Sequence, residues 1–425
     1  MEQHFHLFYE CSGISTDTRT ISPGDLFICL KGERYDGNEF TEKALSQGAK
    51  YVISSDEARC NALNILFVDD TLRFLQALAK HHRKQFNIPV LGITGSNGKT
   101  TTKELINAVL ETERQVLCTK GNLNNHIGVP LTLLRLNATH EIAIIEMGAN
   151  KPGDIEELCT IAEPTHGIIT NIGSAHLEGF GTFEGVLNTK LALYRAIEKE
   201  GGTLFFNADD PLITQHLPQV RSINYGMNNT ANCQGTIIEL TPYVNFQYTI
   251  DHVVSPLIKS HLIGAYNLSN FLAAVCIGHF FQITPASIQQ GLENYIPSNN
   301  RSQVHKTARN TLILDCYNAN PSSMQAALDS FAQIPHQQKI AILGDMLELG
   351  AFSEEAHSTL LDQAFTLGIP VITVGKEFER ITTERDHFQD TERLISSGLL
   401  ARYTEALILI KGSRGIGLED LISLL

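Results

Sequence analysis

Several features that mark common protein classes are missing from this 425-residue sequence. It has no apolar run long enough to span a membrane, and it does not begin with a basic segment followed by an apolar one, so we do not expect a membrane or exported protein. Its eight cysteines are scattered without a C-x-x-C pair, which predicts reduced, mostly buried thiols and neither disulfides nor a zinc site. We therefore expect a cytoplasmic protein.

Positive charge is also scarce. Lys and Arg number 32 against 46 Asp and Glu, which gives a formal net charge of −14. This balance argues against a nucleic-acid or anionic-membrane partner, although a local basic pocket could still hold a small anionic substrate. No internal repeat is present, and a chain of this length usually forms two or three domains.

What the sequence does contain is a candidate phosphate loop. Residues 90–93 indicate a short buried strand, and a helix with an apolar stripe follows Lys99. Glycines between them would let the backbone approach a phosphate, and the helix N-terminus would add partial positive charge. Lys99 would neutralise the β- and γ-phosphates, and the Thr100 hydroxyl would coordinate Mg²⁺. The predicted nucleotide contacts are Gly95, Ser96, Asn97, Gly98, Lys99, Thr100 and Thr101.

The spacing of this loop differs from the literal P-loop pattern. That pattern has four residues between its first glycine and the Gly-Lys pair, and Gly92 stands one residue too early for it. A glycine-rich turn with an incidental lysine is the alternative. The strand before the loop and the helix after it favour phosphate binding.

Two later apolar runs end in residues suited to a metal site. Residues 142–145 lead to Glu146, and residues 167–170 lead to a glycine-bearing loop with His176. A carboxylate at the C-terminal end of a buried strand lies where α/β ATPases hold magnesium. The alternatives are a solvent-facing acid and a structural histidine. Two strand ends directed at one phosphate loop favour the metal site.

The string Thr-Gly-Ser-Asn-Gly-Lys-Thr-Thr at residues 94–101 resembles the ATP loop of the Mur ligase family. The resemblance spans nearly the whole chain, and residues 17–37 are similar to the domain that holds the UDP end of the substrate in two members. Three C-terminal strings are similar to the members that join D-alanyl-D-alanine to UDP-N-acetylmuramoyl-tripeptide in peptidoglycan precursor synthesis. They are residues 315–322, 343–350 and 411–415.

The resemblance implies an α/β protein of three domains. Residues 1–88 would form a small α/β domain that binds the UDP substrate. Residues 89–298 would form a central P-loop-type ATPase domain, and residues 299–425 a Rossmann-like domain that binds the amino substrate. The alternation of strands and helices after residue 299 also predicts a doubly wound domain, and the lack of G-x-G-x-x-G there argues against NAD.

The resemblance also implies roles for single residues. In the family, the lysine about one helix beyond the His loop is carbamylated and helps to bind a second Mg²⁺. That position is Lys190, which composition alone would describe as a solvated helix lysine. Arg301 would reach the ATP phosphates, and Asn267 would lie by the adenine, although Tyr266 stands where His is usual. The other implied contacts are Asp315 and Asn318 with the nucleotide and Thr18, Arg19, Asn122, Asn124, Asn125 and Asn320 with the substrates.

Some of these residues have simpler interpretations. Without the resemblance, Arg19 would be a solvated surface arginine and residues 119–130 a turn-rich connection. The implied metal ligands are Thr100, Glu146, His176 and Lys190, and the implied catalytic residues are Lys99, Lys190, His176 and Arg301.

The implied reaction has two steps. ATP donates its γ-phosphoryl group to the peptide's terminal carboxylate, and the dipeptide amine then displaces phosphate from the acyl phosphate to form an amide. We expect ATP and Mg²⁺ as cofactors and a monomeric enzyme. One alternative is a third-residue-adding ligase of the same family, against which residues 317–321 argue. The other is a nucleotide-gated binding protein that hydrolyses ATP only as a switch.

Overall fold

The computed structural model describes residues 2–33, 35–173, 177–228, 230–298, 300–381 and 386–425. Its strands form a four-stranded, a nine-stranded and a six-stranded sheet. The chain divides into two compact units: residues 1–92, 114–149 and 153–166 form the first, and residues 93–113, 150–152 and 167–425 form the second. Within the described ranges, no helix combines the length and the apolar character needed to cross a bilayer.

The N-terminal sheet has four parallel strands in the order β1-β2-β3-β4. Its core includes Phe27 and Val52, which are 2% and 0% exposed. The Asp70 side chain accepts the N–H groups of Leu72 and Arg73 and so caps α2. The elements are β1 Ile14–Ser15, β2 Leu26–Ile28, α1 Thr41–Ser46, β3 Tyr51–Ser54, β4 Ile65–Phe67 and α2 Thr71–Arg83.

The nine-stranded sheet has the order β13-β12-β11-β10-β9-β8-β5-β7-β6. Its strands are β5 Val90–Thr94, β6 Val116–Cys118, β7 Ile142–Glu146, β8 His166–Ile169, β9 Thr203–Asn207, β10 Arg221–Gly226, β11 Cys233–Glu239, β12 Asn245–Ile250 and β13 Val253–Val254. Its helices are α3 Lys99–Leu110, α4 Gly128–Leu133, α5 Asp154–Ala162, α6 Leu177–Phe180, α7 Phe183–Lys199, α8 Pro211–Gln215, α9 Asn267–Phe280 and α10 Pro285–Asn294.

Helix α3 follows the candidate phosphate loop and packs against α9 and α10. The predicted stripe is confirmed, because Leu105, Ile106 and Val109 are all fully buried. Close packing also requires Gly291 in α10, since a Cβ there would collide with the Ala108 carbonyl oxygen. This packing fixes the start of α3 and therefore the end of the loop.

The sheet ends in an antiparallel extension that we did not predict. Strand β11 pairs antiparallel with β12, and β12 with β13. In β12 the buried Phe246 and Tyr248 alternate with the less buried Asn245 and Gln247. This period of two is the usual signal of a half-buried strand.

The C-terminal sheet has the order β14-β15-β19-β16-β17-β18, and only β14 runs antiparallel to its neighbour. One buried cluster joins Leu328 of α11 to Leu360 of α12, and another contains Leu394 of α14. The predicted doubly wound fold is thus confirmed. The elements are β14 Gln303–Lys306, β15 Thr311–Asp315, α11 Pro321–Gln333, β16 Lys339–Gly344, α12 Ser353–Thr366, β17 Val371–Val374, α13 Lys376–Glu379, β18 His387–Phe388, α14 Thr391–Ser396 and β19 Leu407–Lys411.

Candidate active site

The turn between β5 and α3 has a backbone that depends on glycine. Gly95 has φ +148° and Gly98 has φ +77°, a region that other residues rarely adopt. A Cβ at Gly95 would collide with Thr170 Oγ1, and one at Gly98 would lie 2.8 Å from Asn270 Oδ1. The loop therefore has the compact, glycine-dependent form that close approach to a phosphate requires.

The middle of the loop is held by Asn171, which is the second residue after the neighbouring strand β8. The Asn97 N–H donates to Asn171 Oδ1 at 2.9 Å, and Asn171 Nδ2 donates to the Asn97 carbonyl at 2.9 Å. Thr170 Oγ1 donates to the same carbonyl at 2.6 Å. The Asn97 backbone N–H is thus engaged by the protein itself. Sequence reasoning overlooked Asn171, although a polar residue just after a parallel strand is a signal for such a position.

Ser96 and Lys99 complete the loop. Ser96 Oγ donates to the Gly173 carbonyl and accepts the Gly173 N–H, both at 2.9 Å. Lys99 Nζ donates to the carbonyls of Gly95 at 2.7 Å and Ser96 at 3.2 Å. The ammonium group therefore lies on the loop itself, where it can neutralise a bound phosphate chain.

The first turns of α3 are tied to α9 by buried polar side chains. Thr100 and Thr101 are 6% and 9% exposed. Thr102 Oγ1 donates to Asn270 Oδ1 at 3.0 Å, Asn270 Nδ2 donates to Asn267 Oδ1 at 2.8 Å, and Asn267 Nδ2 donates to a backbone carbonyl at 2.7 Å. Asn267 is 1% exposed. In this structure it belongs to a buried chain of hydrogen bonds, and its contact with adenine stays a prediction.

A cationic cluster gathers around Tyr317 in the C-terminal part of the chain. The Arg301 guanidinium lies 3.8 Å from the Tyr317 ring centroid, and the Arg414 guanidinium lies 5.4 Å from it. Such stacking orients a guanidinium group over an aromatic face. Arg301 Nε is buried and has no hydrogen-bond partner within the described ranges. The cluster therefore keeps donor capacity for an anion.

Asp315 lies at the end of β15 and is paired with a buried lysine that we did not predict to be functional. Lys411 Nζ is 2.5 Å from Asp315 Oδ2, and the Lys411 side chain is 2% exposed. The Ser302 N–H donates to Asp315 Oδ1 at 3.3 Å, and the Ser302 hydroxyl lies 2.9 Å from the Tyr266 hydroxyl. Asn318 is exposed, and its Oδ1 accepts the following backbone N–H. The register of β15 against β19 pairs Asp315 with Lys411, which explains their contact.

In the first unit, Glu146 ends β7 and is 1% exposed, so the solvent-facing interpretation is wrong. Its Oε1 accepts Asn124 Nδ2 at 2.8 Å. Asn125 Oδ1 accepts the Gly128 N–H at 2.9 Å at the start of α4, whereas Asn122 is exposed. Of the three predicted substrate asparagines in this loop, Asn125 thus bonds its own loop and Asn124 bonds the end of β7.

The predicted UDP contacts lie on a short 3₁₀ helix, Thr18–Thr20, capped by Asp17. The Arg19 side chain is 84% exposed, and its Nη2 lies 2.6 Å from Asp17 Oδ2. The side-chain and backbone hydrogen bonds from Arg19 lower the pKa of Asp17 to about 2. Arg19 is therefore available to an anionic ligand while Asp17 holds its orientation.

The remaining predicted positions concern the metal. Lys190 on α7 is 2% exposed, with Nζ 5.7 Å from the centroid of the Phe180 ring, so its description as a solvated helix lysine is wrong. His176 lies outside the described residues, as does Asn299, where the third predicted domain begins. Within the part of the chain that the structure describes, no group of three or more His, Cys, Asp or Glu side chains could by itself hold a metal ion.

Comparison with protein-family models divides the chain in three. The Mur ligase family catalytic domain matches residues 10–83, the Mur ligase middle domain residues 93–278, and the Mur ligase glutamate ligase domain residues 300–414. The chain belongs to the Mur ligase family. This confirms the predicted family and its three α/β domains.

Individual Mur ligases match this chain over almost the whole length of both proteins. The UDP-N-acetylmuramoyl-tripeptide–D-alanyl-D-alanine ligase of Bacillus subtilis is 36% identical over 96% of this chain and 92% of its own. The crystal structure of MurF from Acinetobacter baumannii superposes with a TM-score of 0.88 at 30% identity, covering 99% of this chain and 97% of that one. MurF ligase from Thermotoga maritima, solved in complex with ADP, gives a TM-score of 0.86 at 28% identity and covers 97% and 96% of the two chains.

Proposed function

We propose that this protein is an ATP-dependent ligase that joins D-alanyl-D-alanine to UDP-N-acetylmuramoyl-tripeptide in peptidoglycan precursor synthesis. The observation that carries the proposal is the glycine-dependent loop with Lys99 folded onto its carbonyls, at the start of α3, in a Mur ligase. The substrates are those named for the relatives that match along the whole chain.

The proposed chemistry solves a specific difficulty of amide formation. A carboxylate repels nucleophiles and would have to expel oxide, so it reacts poorly with an amine. Its oxygen attacks the γ-phosphorus of ATP, ADP leaves, and an acyl phosphate forms. The amine then attacks the carbonyl carbon and gives up one proton, and phosphate departs with the bridging oxygen. The protein's contribution is to position the reactants and to neutralise charge.

In this proposal, Lys99 and Arg301 steady the transferring phosphoryl group. Lys99 lies on the loop, and Arg301 keeps a buried Nε–H without a partner among the residues that the structure describes. Asp315 and Asn318 contact the nucleotide, whereas Thr18 and Arg19 contact the UDP-peptide at an exposed cap.

The side chains proposed for Mg²⁺ suit that ion. Thr100 would supply a hydroxyl and Glu146 a carboxylate, and both are nearly buried. Mg²⁺ prefers oxygen ligands and is usually held by one or two protein oxygens together with phosphate oxygens and water, so a cluster of three acidic side chains is not required. The ion would neutralise developing charge on the phosphates.

Lys190 is proposed to carry a carbamate. Carbon dioxide would add to the neutral amine with loss of one proton, which replaces an ammonium by an anionic oxygen ligand. The burial of the side chain on α7 supports this proposal, because burial disfavours a charged amine.

The functional assignment of the domains is also a proposal. Residues 1–88 would bind UDP-peptide, residues 89–298 ATP, and residues 299–425 the dipeptide. We further propose a monomer that acts in the cytoplasm. Five of the eight cysteines are buried, as predicted, and reduced thiols would suit a reducing compartment.

An ADP-release assay across UDP-peptides and amines tests the function. In the first arm, UDP-N-acetylmuramoyl-tripeptides with diaminopimelate or lysine as third residue would be combined with D-alanyl-D-alanine. In the second arm, the corresponding UDP-dipeptide acceptor would be combined with free diaminopimelate or lysine as the amine. We expect ADP release only with a tripeptide and D-alanyl-D-alanine together. Release that depends on a free third-position amino acid would instead assign the third-residue-adding reaction, and release without any amine would indicate a nucleotide switch.

A further inference from the structure

Three side chains join the phosphate loop to the first turn of α11 in a closed ring of hydrogen bonds. Asn320 Nδ2 donates to Asn97 Oδ1 at 2.7 Å, and Asn97 Nδ2 donates to Ser322 Oγ at 2.8 Å. Ser322 Oγ in turn donates to Asn320 Oδ1 at 3.0 Å. Each of the three side chains therefore donates one hydrogen bond and accepts one within the ring.

The direction of the ring is determined by the helix that carries it. Asn320 is the N-cap of α11, and its Oδ1 accepts the Ser323 backbone N–H at 2.9 Å. Its amide NH₂ must therefore face Asn97, which turns the Asn97 oxygen toward Asn320 and the Asn97 NH₂ toward Ser322. The N-cap residue Asn320 thus orients the Asn97 side chain, both directly and through Ser322.

Asn97 is consequently held from two sides. Asn171 binds its backbone N–H and carbonyl, as described above. The ring binds its side chain, and Asn320 is only 6% exposed. A loop that keeps its binding form without ligand loses less entropy when a phosphate binds.

We propose that Asn320 and Ser322 are positioning residues of the phosphate loop. They act through Asn97, so that docking of the α11 N-terminus sets the affinity of the loop for the nucleotide. The proposal deepens the proposed function and depends on it, because it assumes that the loop binds ATP. By linkage, nucleotide binding then stabilises the docked α11 to the same extent.

Two adjacent serines offer a matched pair of variants. S322A removes the hydroxyl that closes the ring. S323A removes a hydroxyl from the same helical turn. Among the described residues this hydroxyl bonds the Asn320 backbone, where it accepts the N–H at 3.1 Å and donates to the carbonyl at 3.1 Å. N320S is a second ring variant, since serine is a good N-cap but is too short to reach Asn97.

The experiment measures ADP affinity by calorimetry and backbone hydrogen exchange of residues 318–326, in the full chain, after thermal melting has shown that each variant is folded. We expect S322A and N320S to bind ADP about tenfold more weakly, which corresponds to about 1.4 kcal/mol, and S323A to remain within about twofold. ADP should slow exchange in α11 of the parent and of S323A, and should do so less in S322A. If S322A does not fold, N320S gives the same test.

If both ring variants bind ADP as tightly as the parent, the proposed positioning role is wrong. It is also wrong if S323A loses as much ADP affinity as S322A, because a merely structural role of the helix start would affect both variants equally. Failure of the parent to bind ADP would be a different result. It would contradict the ATP site itself, and with it the proposed function.

Discussion

Replacing Asn171 by alanine should weaken nucleotide binding without replacing any residue that we place at the phosphates. The substitution removes both hydrogen bonds between the Asn171 carboxamide and the Asn97 backbone. A typical hydrogen bond contributes roughly 1 kcal/mol net, so the loop would lose about 2 kcal/mol of its preference for the binding form. If the whole loss appears in binding, ADP affinity falls about 30-fold.

The assay compares ADP affinity and thermal stability of N171A and a matched control. Asn245 also makes two hydrogen bonds through its carboxamide, to Glu239 Oε2 at 2.7 Å and from the Ser260 N–H at 3.1 Å, but it lies in the antiparallel extension. N245A should therefore destabilise the protein to a similar extent and leave ADP affinity unchanged. Equal affinities for N171A and the parent, or an equal loss in N245A, would refute the role of Asn171.

Three further outcomes follow from the same structure. K99A should lose at least about a hundredfold in turnover at a nearly unchanged melting temperature, because the ammonium acts on the charge of the phosphates; near-normal turnover would contradict the loop assignment. K190A should lose most of its activity and regain part of it when acetate is added, whereas acetate should not restore the activity of K190R. In ¹³C-labelled bicarbonate, NMR should show a carbamate signal in the parent that is missing in K190A. The Asp17 carboxyl should titrate with a pKa of about 2 and with a higher pKa in R19A, which removes the side-chain hydrogen bonds but keeps the backbone one; because the folded pKa is depressed, the stabilisation by this pair is complete at neutral pH and is lost as pH falls from about 4 toward 2. An unchanged NMR titration in R19A would disprove this pairing.

Local patterns were sufficient for the elements that carry the site. The strand at residues 90–93, the apolar stripe of α3 and the strand ending at Glu146 are where hydrophobic runs and glycines predicted them. These features depend on neighbours in sequence, so they can be derived without tertiary information. The family resemblance supplied the domain order, which no local pattern contains.

The partners of the predicted residues could not be derived in the same way. Asn97 meets Ser322 across 225 positions of sequence, and Lys411 meets Asp315 across 96. The first contact depends on the packing of α11 against the loop and the second on the register of β15 against β19, which the sequence of either segment alone does not specify. For the same reason Lys190 was open to interpretation as a solvated residue, because one face of α7 is buried only by tertiary packing.

The central claim is that a carboxylate is activated by phosphoryl transfer and then captured by an amine. It is tested most directly by labelling the terminal carboxylate of the UDP-tripeptide with ¹⁸O and analysing the phosphate released during turnover with D-alanyl-D-alanine. Each released phosphate should carry one ¹⁸O, because the attacking carboxylate oxygen leaves with the phosphoryl group when the amide forms. Phosphate free of ¹⁸O would show that water, and not the carboxylate, accepts the phosphoryl group, and would contradict the ligase mechanism.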